Sequence, residues 1–144
     1  MVEMLLVEDD IADAKLVLKA LEEGRLADKL THVKDGVDAW TLLNERKTNE
    51  KPLPDIILTD LNMPRMDGRE LLRKIKSHDE FKSIPSIVLT SSDSPADIKM
   101  SYQLNANCYV SKPDDLDDFY DVMRSLDKFW LGIASLSSQV EDDS

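Results

Sequence analysis

Residues 55–68 read DIILTDLNMPRMDG. The run 56–59 is β-branched or leucine and of strand length, Asp60 ends it, and Pro64 and Gly68 suit a turn before a helix starting at Arg69. The unit is strand, acid, turn, helix. Runs of the same kind occur at 4–7, 86–89 and 108–110, with a weaker one at 30–33. Between them apolar residues recur at helical spacing, as in Ala14, Val17, Leu18 and Leu21 or Leu116, Phe119, Met123 and Leu126. Asp10, Asp35, Ser94 (with Pro95 behind it) and Asp114 mark helix starts. Near-continuous apolar strands alternating with helices predict a five-stranded parallel sheet covered on both faces, a doubly wound α/β domain.

The chain has 144 residues, of which 42% are apolar and 33% charged, enough for one core and too apolar for disorder. Five βα units fill residues 1–131. Residues 132–144 are expected to be a flexible acidic tail, with no output domain after it. No apolar run is long enough to span a bilayer, and the first ten residues, MVEMLLVEDD, lack the basic start and cleavage site of a signal peptide. The expected location is the cytoplasm, with no membrane association. A single cysteine, Cys108, cannot form an internal disulfide and, with only His32 and His78, cannot build a zinc site. Both histidines are expected at the surface, outside any active edge. The net charge of −11 opposes direct nucleic-acid binding.

In open α/β sheets, ligands bind beyond the carboxyl ends of the strands. Those ends carry Glu8 and Asp9 after strand 1, Asp60 after strand 3, Thr90 at strand 4 and Lys112 after strand 5. Asp10 reads as a helix cap. Three carboxylates crowded at one edge repel one another, and a hard oxygen-binding cation such as Mg²⁺ relieves that repulsion. An aspartate beside Mg²⁺ can take a phosphoryl group as an acyl phosphate, with Thr90 and Lys112 placed to hold the transferred oxygens. Asp60 is the candidate acceptor.

VEDD near the start, LTDLNMPRMDG, IPSIVLTSS and YVSKP together resemble the receiver domain of two-component response regulators, from Met1 to about Leu131. The resemblance implies a flavodoxin-like fold with strand order 2-1-3-4-5 and phosphorylation of Asp60 by a sensor histidine kinase or a phosphotransfer protein. It implies Glu8 and Asp9 as the acidic pair, with Asp9 a direct Mg²⁺ ligand, and Asn62 as the residue whose backbone carbonyl completes the site. It also implies Thr90 and Tyr109 as the switch pair and Lys112 as the active-site lysine. Ser91 stands where the family usually has alanine. The stretch NCYVSKPDDLDDFYDVMRSLDKFWL is similar to the small regulators serving bacterial phytochrome histidine kinases.

A haloacid-dehalogenase-type phosphatase also combines Asp, Thr or Ser, Lys and Mg²⁺, but it carries a second acid two residues beyond the nucleophile, where Asn62 stands here. A receiver that has lost phosphorylation would be expected to lack one of the acids, Thr90 or Lys112. The expected activity is therefore a phosphoacceptor signalling module that catalyses only its own phosphorylation and dephosphorylation. Arg69, Arg73, Lys74 and Lys76, interleaved with Glu70, are expected to form a solvated helix face. Phe129, Trp130 and Leu131 cannot all face inward from one helix, so two arrangements are expected: a homodimer contact there, or a helix that ends at Lys128 with the aromatics folded back over the domain's own sheet edge.

Overall fold

The computed structural model describes residues 2–24 and 27–140. The strands are β1 (Glu3–Val7), β2 (Lys29–Val33), β3 (Ile56–Thr59), β4 (Ser86–Thr90) and β5 (Cys108–Ser111), and all pairings are parallel in the order β2-β1-β3-β4-β5. The helices between and after them are α1 (Ile11–Gly24), α2 (Gly36–Thr48), α3 (Gly68–Lys76), α4 (Pro95–Gln103) and α5 (Leu116–Leu126). Apolar content tracks position. Every residue of the inner strands β1, β3 and β4 is buried, whereas the edge strands β2 and β5 are partly exposed. The weakness of the run at 30–33 is that of an edge strand, which has one neighbour and less cover.

Side chains alternate across the sheet with the period of two that a strand imposes. Met4, Leu6, Ile56, Leu58, Ile87 and Leu89 pack with Val17, Leu21, Phe119 and Met123 under α1 and α5. Leu5, Val7 and Ile57 pack with Ala39, Leu43, Leu71, Ile75 and Phe81 under α2 and α3. Fully burying one such side chain is worth roughly 1.5–3 kcal/mol, which makes the three inner strands a rigid base for their polar ends. Helix α4 differs, since Ser101 is its only buried residue. A helix with so little apolar anchorage is the element of this fold most easily displaced.

Three expectations need correction. Helix α3 begins at Gly68, with the Asp67 carboxylate accepting from Glu70 N, because an aspartate cap outweighs the turn propensity of glycine. Helix α5 is capped by Asp115, which accepts from Asp118 N, and not by Asp114. The third concerns the segment after Leu131. A π-helical turn covers Asp127–Ile133, Leu136 is buried, and Ser137–Gln139 form a 3₁₀ turn whose Ser138 and Gln139 side chains donate to Asp55 Oδ1. The buried Asp55 carboxylate, which also accepts from Glu3 N at 2.6 Å, needs donors, and these polar residues supply them. Residues 132–140 are thus not free; 141–144 lie outside the described residues.

Candidate phosphoacceptor site

Strand register builds the site. Val7 is paired with Thr59, so the residues that follow them, Glu8 and Asp60, emerge side by side, and Asp60 N donates to Val7 O at 3.1 Å. Thr90 is paired with Ser111, which sets Lys112 beyond the end of β5. The Lys112 ammonium reaches back across the sheet edge and donates to Glu8 Oε1 at 2.7 Å, Asp13 Oδ2 at 2.9 Å and Asp60 Oδ2 at 3.0 Å. Asp60 Oδ1 is held separately by two backbone amides, Leu61 N at 2.6 Å and Asn62 N at 3.3 Å. One carboxylate oxygen is therefore fixed by the chain, and the other is turned to the charged edge.

Oxygens of Glu8, Asp9 and Asp60 lie within 4.8 Å of one another. Glu8 is buried, Asp60 nearly so, and Asp9 exposed. Burial pushes the Glu8 carboxyl up to about 8, with the Asp60 carboxylate adding to the shift and Lys112 opposing it. Burial acts to raise Asp60 as well, but the Thr90 hydroxyl, Lys112 and the proton kept on Glu8 together hold it below the usual carboxylate range. Lys112 keeps its charge: burial disfavours it, and its carboxylate partners more than compensate, so its pKa is raised. The donor set is all oxygen and carries excess negative charge, which fits a hard divalent cation.

Thr90 is fully buried; its hydroxyl is near enough to Asp60 to favour the carboxylate charge but makes no close, well-aligned hydrogen bond. A buried hydroxyl without such a bond is costly, and this one is available to an oxygen arriving at Asp60. Tyr109 is half-buried on β5, and its hydroxyl donates to Ser92 O at 2.8 Å, in the loop directly after Thr90. Asn62 is exposed, two residues after Asp60. Glu8, Asp9, Asp60, Thr90 and Lys112 thus meet at one edge of the sheet, with Tyr109 on the adjoining strand β5.

Phe129, Trp130 and Leu131 lie apart from this edge. Trp130 and Leu131 pack against the α1/α5 core, while Phe129 is 51% exposed and meets Trp130 edge to face at 5.5 Å.

Several residues escaped the sequence reading. Asp13, the third carboxylate on Lys112, sits in the first turn of α1, where a strand-end acid can be met; that position was its only signal. His32, although exposed, places Nε2 2.8 Å from Glu8 O and so borders the active edge. His78 is half-buried and stacked on Phe81 at 3.8 Å. Arg65, at φ 64°, clamps the acceptor loop to the start of α2 through Asp35 and Asp38. Nor do the cations of α3 form a plain solvated face: Arg69 pairs with Asp97, Lys74 lies over Trp40, and Lys76 donates to Lys82 O and Ile84 O.

Residues 4–124 match the sequence profile of the response regulator receiver domain. The chain is 39% identical over 134 residues to response regulator Rcp1 of Synechocystis, covering 92% of this chain and 91% of that protein. The crystal structure of Mn²⁺-bound Rcp1 superposes with a TM-score of 0.87 at 36% identity, over 94% of this chain and 99% of that one. The phosphorylated cyanobacterial phytochrome response regulator RcpA gives 0.88 at 38% identity, over 94% and 97%.

Proposed function

The chain belongs to the response regulator receiver family, and on that premise we propose that Asp60 is the residue through which it accepts a phosphoryl group. The observation that carries the assignment is the position of Asp60. It ends the central strand with one oxygen held by backbone amides and the other within 3.0 Å of Lys112. In the transfer, an Asp60 carboxylate oxygen attacks phosphorus, the bond from phosphorus to the donor imidazole breaks, and the freed imidazole leaves. Lys112 takes one of the equatorial oxygens, and the Thr90 hydroxyl takes another. Drawing Thr90 toward that oxygen shifts the loop behind it and vacates space for Tyr109.

Receiver domains hold a divalent cation. Here we assign Mg²⁺ to Glu8, Asp9, Asp60 and the backbone carbonyl of Asn62; the oxygen-only donor set and the Mn²⁺-bound form of Rcp1 support this. Bound there, the ion supplies positive charge to the phosphoryl oxygens. Because Glu8 keeps its proton up to about pH 8, cation binding near pH 7 is expected to release close to one proton and to strengthen with rising pH until Glu8 is ionised. Calorimetry in two buffers of different ionisation enthalpy reads that release directly. Asp9→Asn should weaken binding without unfolding the chain; unaltered affinity would leave Asp9 as a bystander.

The upstream donor in this reading is a sensor histidine kinase of the phytochrome class, or a phosphotransfer protein. The phytochrome link of RcpA and the stretch from Asn107 to Leu131 support it. The chain acts in the cytoplasm, with no catalysis beyond its own phosphorylation and dephosphorylation and with no direct nucleic-acid contact. Among the described residues no helix is long and apolar enough to cross a membrane. Phosphotransfer from a panel of purified kinases tests the partnership: a phytochrome kinase should transfer fastest, and equal slow transfer from all of them would refute the pairing.

Self-association through the end of α5 completes the proposal. Phe129 borders a groove of about 500 Å³ between β5 and α5, lined also by Cys108, Val110, Val122, Leu126 and Trp130. An exposed aromatic beside an apolar groove suits burial against a second copy. With −11 on each chain, added salt should strengthen such a dimer by screening repulsion. Phe129→Ala should shift sedimentation toward monomer. A wild type that stays monomeric at high micromolar concentration, with and without beryllofluoride, removes the dimer from consideration.

A further inference from the structure

The Lys112 ammonium has three protons, and each goes to a different carboxylate, those of Glu8, Asp13 and Asp60. Glu8 and Asp60 belong, with Asp9, to the group whose oxygens lie close enough together to share a cation; Asp13 does not. It comes from a different element, the first turn of α1, and its side chain is 31% exposed where that of Lys112 is 6%. The helix start aims it. Asp10 Oδ1 accepts from Asp13 N and Asp10 O accepts from Ala14 N, each at 2.9 Å, and Ala14 is buried beside it. Asp13 is therefore carried by a capped turn that is packed onto the sheet.

The lysine needs such a hold. Its backbone is fixed, since Lys112 N donates to Thr90 O at 2.7 Å, but a flexible four-carbon stem separates that anchor from the ammonium. A cavity of about 230 Å³ opens beside it, lined among others by Asp13, Ser91, Pro113, Asp114 and Leu116. An ammonium released from Asp13 has room to swing into that cavity, where Asp114 offers another carboxylate. With a divalent cation bound by Glu8, Asp9 and Asp60, two of the three carboxylates on Lys112 are shared with a second positive charge that also repels the ammonium. Asp13 alone then remains wholly available to the lysine.

We propose that Asp13 is a positioning residue for phosphoryl transfer, keeping the Lys112 ammonium beside Asp60 while the cation site is filled. This rests on Asp60 as the acceptor and on Lys112 as the group that takes an equatorial phosphoryl oxygen, and it adds what holds the lysine there. Asp13 acts through Lys112, not on phosphorus. An acid in the first turn of α1 also favours the helix dipole, but that role alone predicts a change in stability with no effect on Lys112.

At saturating Mg²⁺, Asp13→Asn is expected to slow labelling by a small-molecule phosphodonor about fivefold and to weaken beryllofluoride binding by a similar factor, the scale of one charged hydrogen bond in a partly screened site. Asp13→Glu keeps the charge and can still reach the ammonium, so it should recover most of both. Asp10→Asn removes the same charge from the same helix start, keeps a good cap, and should stay near wild type. The direct readout is NMR of the Lys112 ammonium without any phosphodonor. In wild type its signal should remain resolved and slow to exchange when Mg²⁺ is added; in Asp13→Asn it should merge with those of the solvated lysines.

If wild type takes no label on Asp60, the phosphoacceptor reading fails and the role of Asp13 with it. If wild type is labelled while Asp13→Asn keeps the wild-type rate and Lys112 signal, the positioning role alone is overturned. It is overturned equally if Asp13→Asn is slow but its Lys112 signal is unchanged, or if Asp10→Asn is slowed as much, since the acid then acts through the helix or through charge alone.

Discussion

Asp60→Asn is expected to accept no phosphoryl group from a small-molecule phosphodonor or a kinase, while wild type gains one per chain. The reason is chemical. The amide nitrogen has its lone pair delocalised, and the amide oxygen carries no full charge, so neither atom forms the acyl phosphate. Neighbouring acids do not substitute. Glu8 is buried and retains its proton up to about pH 8, and Asp13 is engaged by Lys112 from the first turn of α1. Asparagine is nearly isosteric, and its side-chain oxygen can still accept from Leu61 N, so the fold is retained. Removing one charge from the crowded acids lessens repulsion, and the melting temperature should be unchanged or higher. Intact-mass measurement after incubation with phosphodonor and Mg²⁺ reads the result; a stable phosphoryl adduct on the variant would mean that the acceptor lies elsewhere.

The second large effect is expected at Gly68, which carries no charge and touches no phosphate. A Cβ there would stand 2.1 Å from the Asp60 carbonyl oxygen, 2.9 Å from Leu61 Cα and 3.0 Å from Asp60 C. All three are backbone atoms, so no side chain can rotate out of the way. Gly68 N also donates to Leu61 O at 2.8 Å, which fixes the start of α3 against the acceptor residue itself. Gly68→Ala must push α3 away from the end of β3 or displace the Asp60 main chain. We expect a loss of about 2–3 kcal/mol, the scale of overpacking a tight site. In a chain of this size that is roughly a 5–10 °C fall in melting temperature. Phosphorylation should slow together with stability, because the displaced atoms include the scaffold of the acceptor. Thermal unfolding and phosphodonor labelling of one sample test both; wild-type stability would show that the contact relaxes at no cost.

The two substitutions mark how differently parts of the site are legible. Asp60 stands out because a polar residue directly after an apolar strand must emerge at the sheet edge, whatever the rest of the fold does. The role of Gly68 was hidden. In sequence it reads as a turn residue before the helix, and nothing local says that the helix begins there, against the Asp60 carbonyl. The segment after Leu131 misled for a related reason: its polar composition promised solvent, but Asp55, 83 residues from Ser138, needed hydrogen-bond donors.

By itself the sequence determined the five strands, the helices between them, and the strand-end residues Glu8, Asp9, Asp60, Thr90 and Lys112, because strand period, helix period and the polar ends of apolar runs are local properties of the chain. Tertiary structure alone decided which charges meet. Lys112 spans 99 residues to reach Asp13, and Arg69 spans 28 to reach Asp97. A long flexible cation carries no local mark of its partner, and a surface lysine or arginine reads the same in sequence whether it is solvated or bound. Only the packing of α1, α3 and α4 around one sheet edge brings those partners within hydrogen-bond reach.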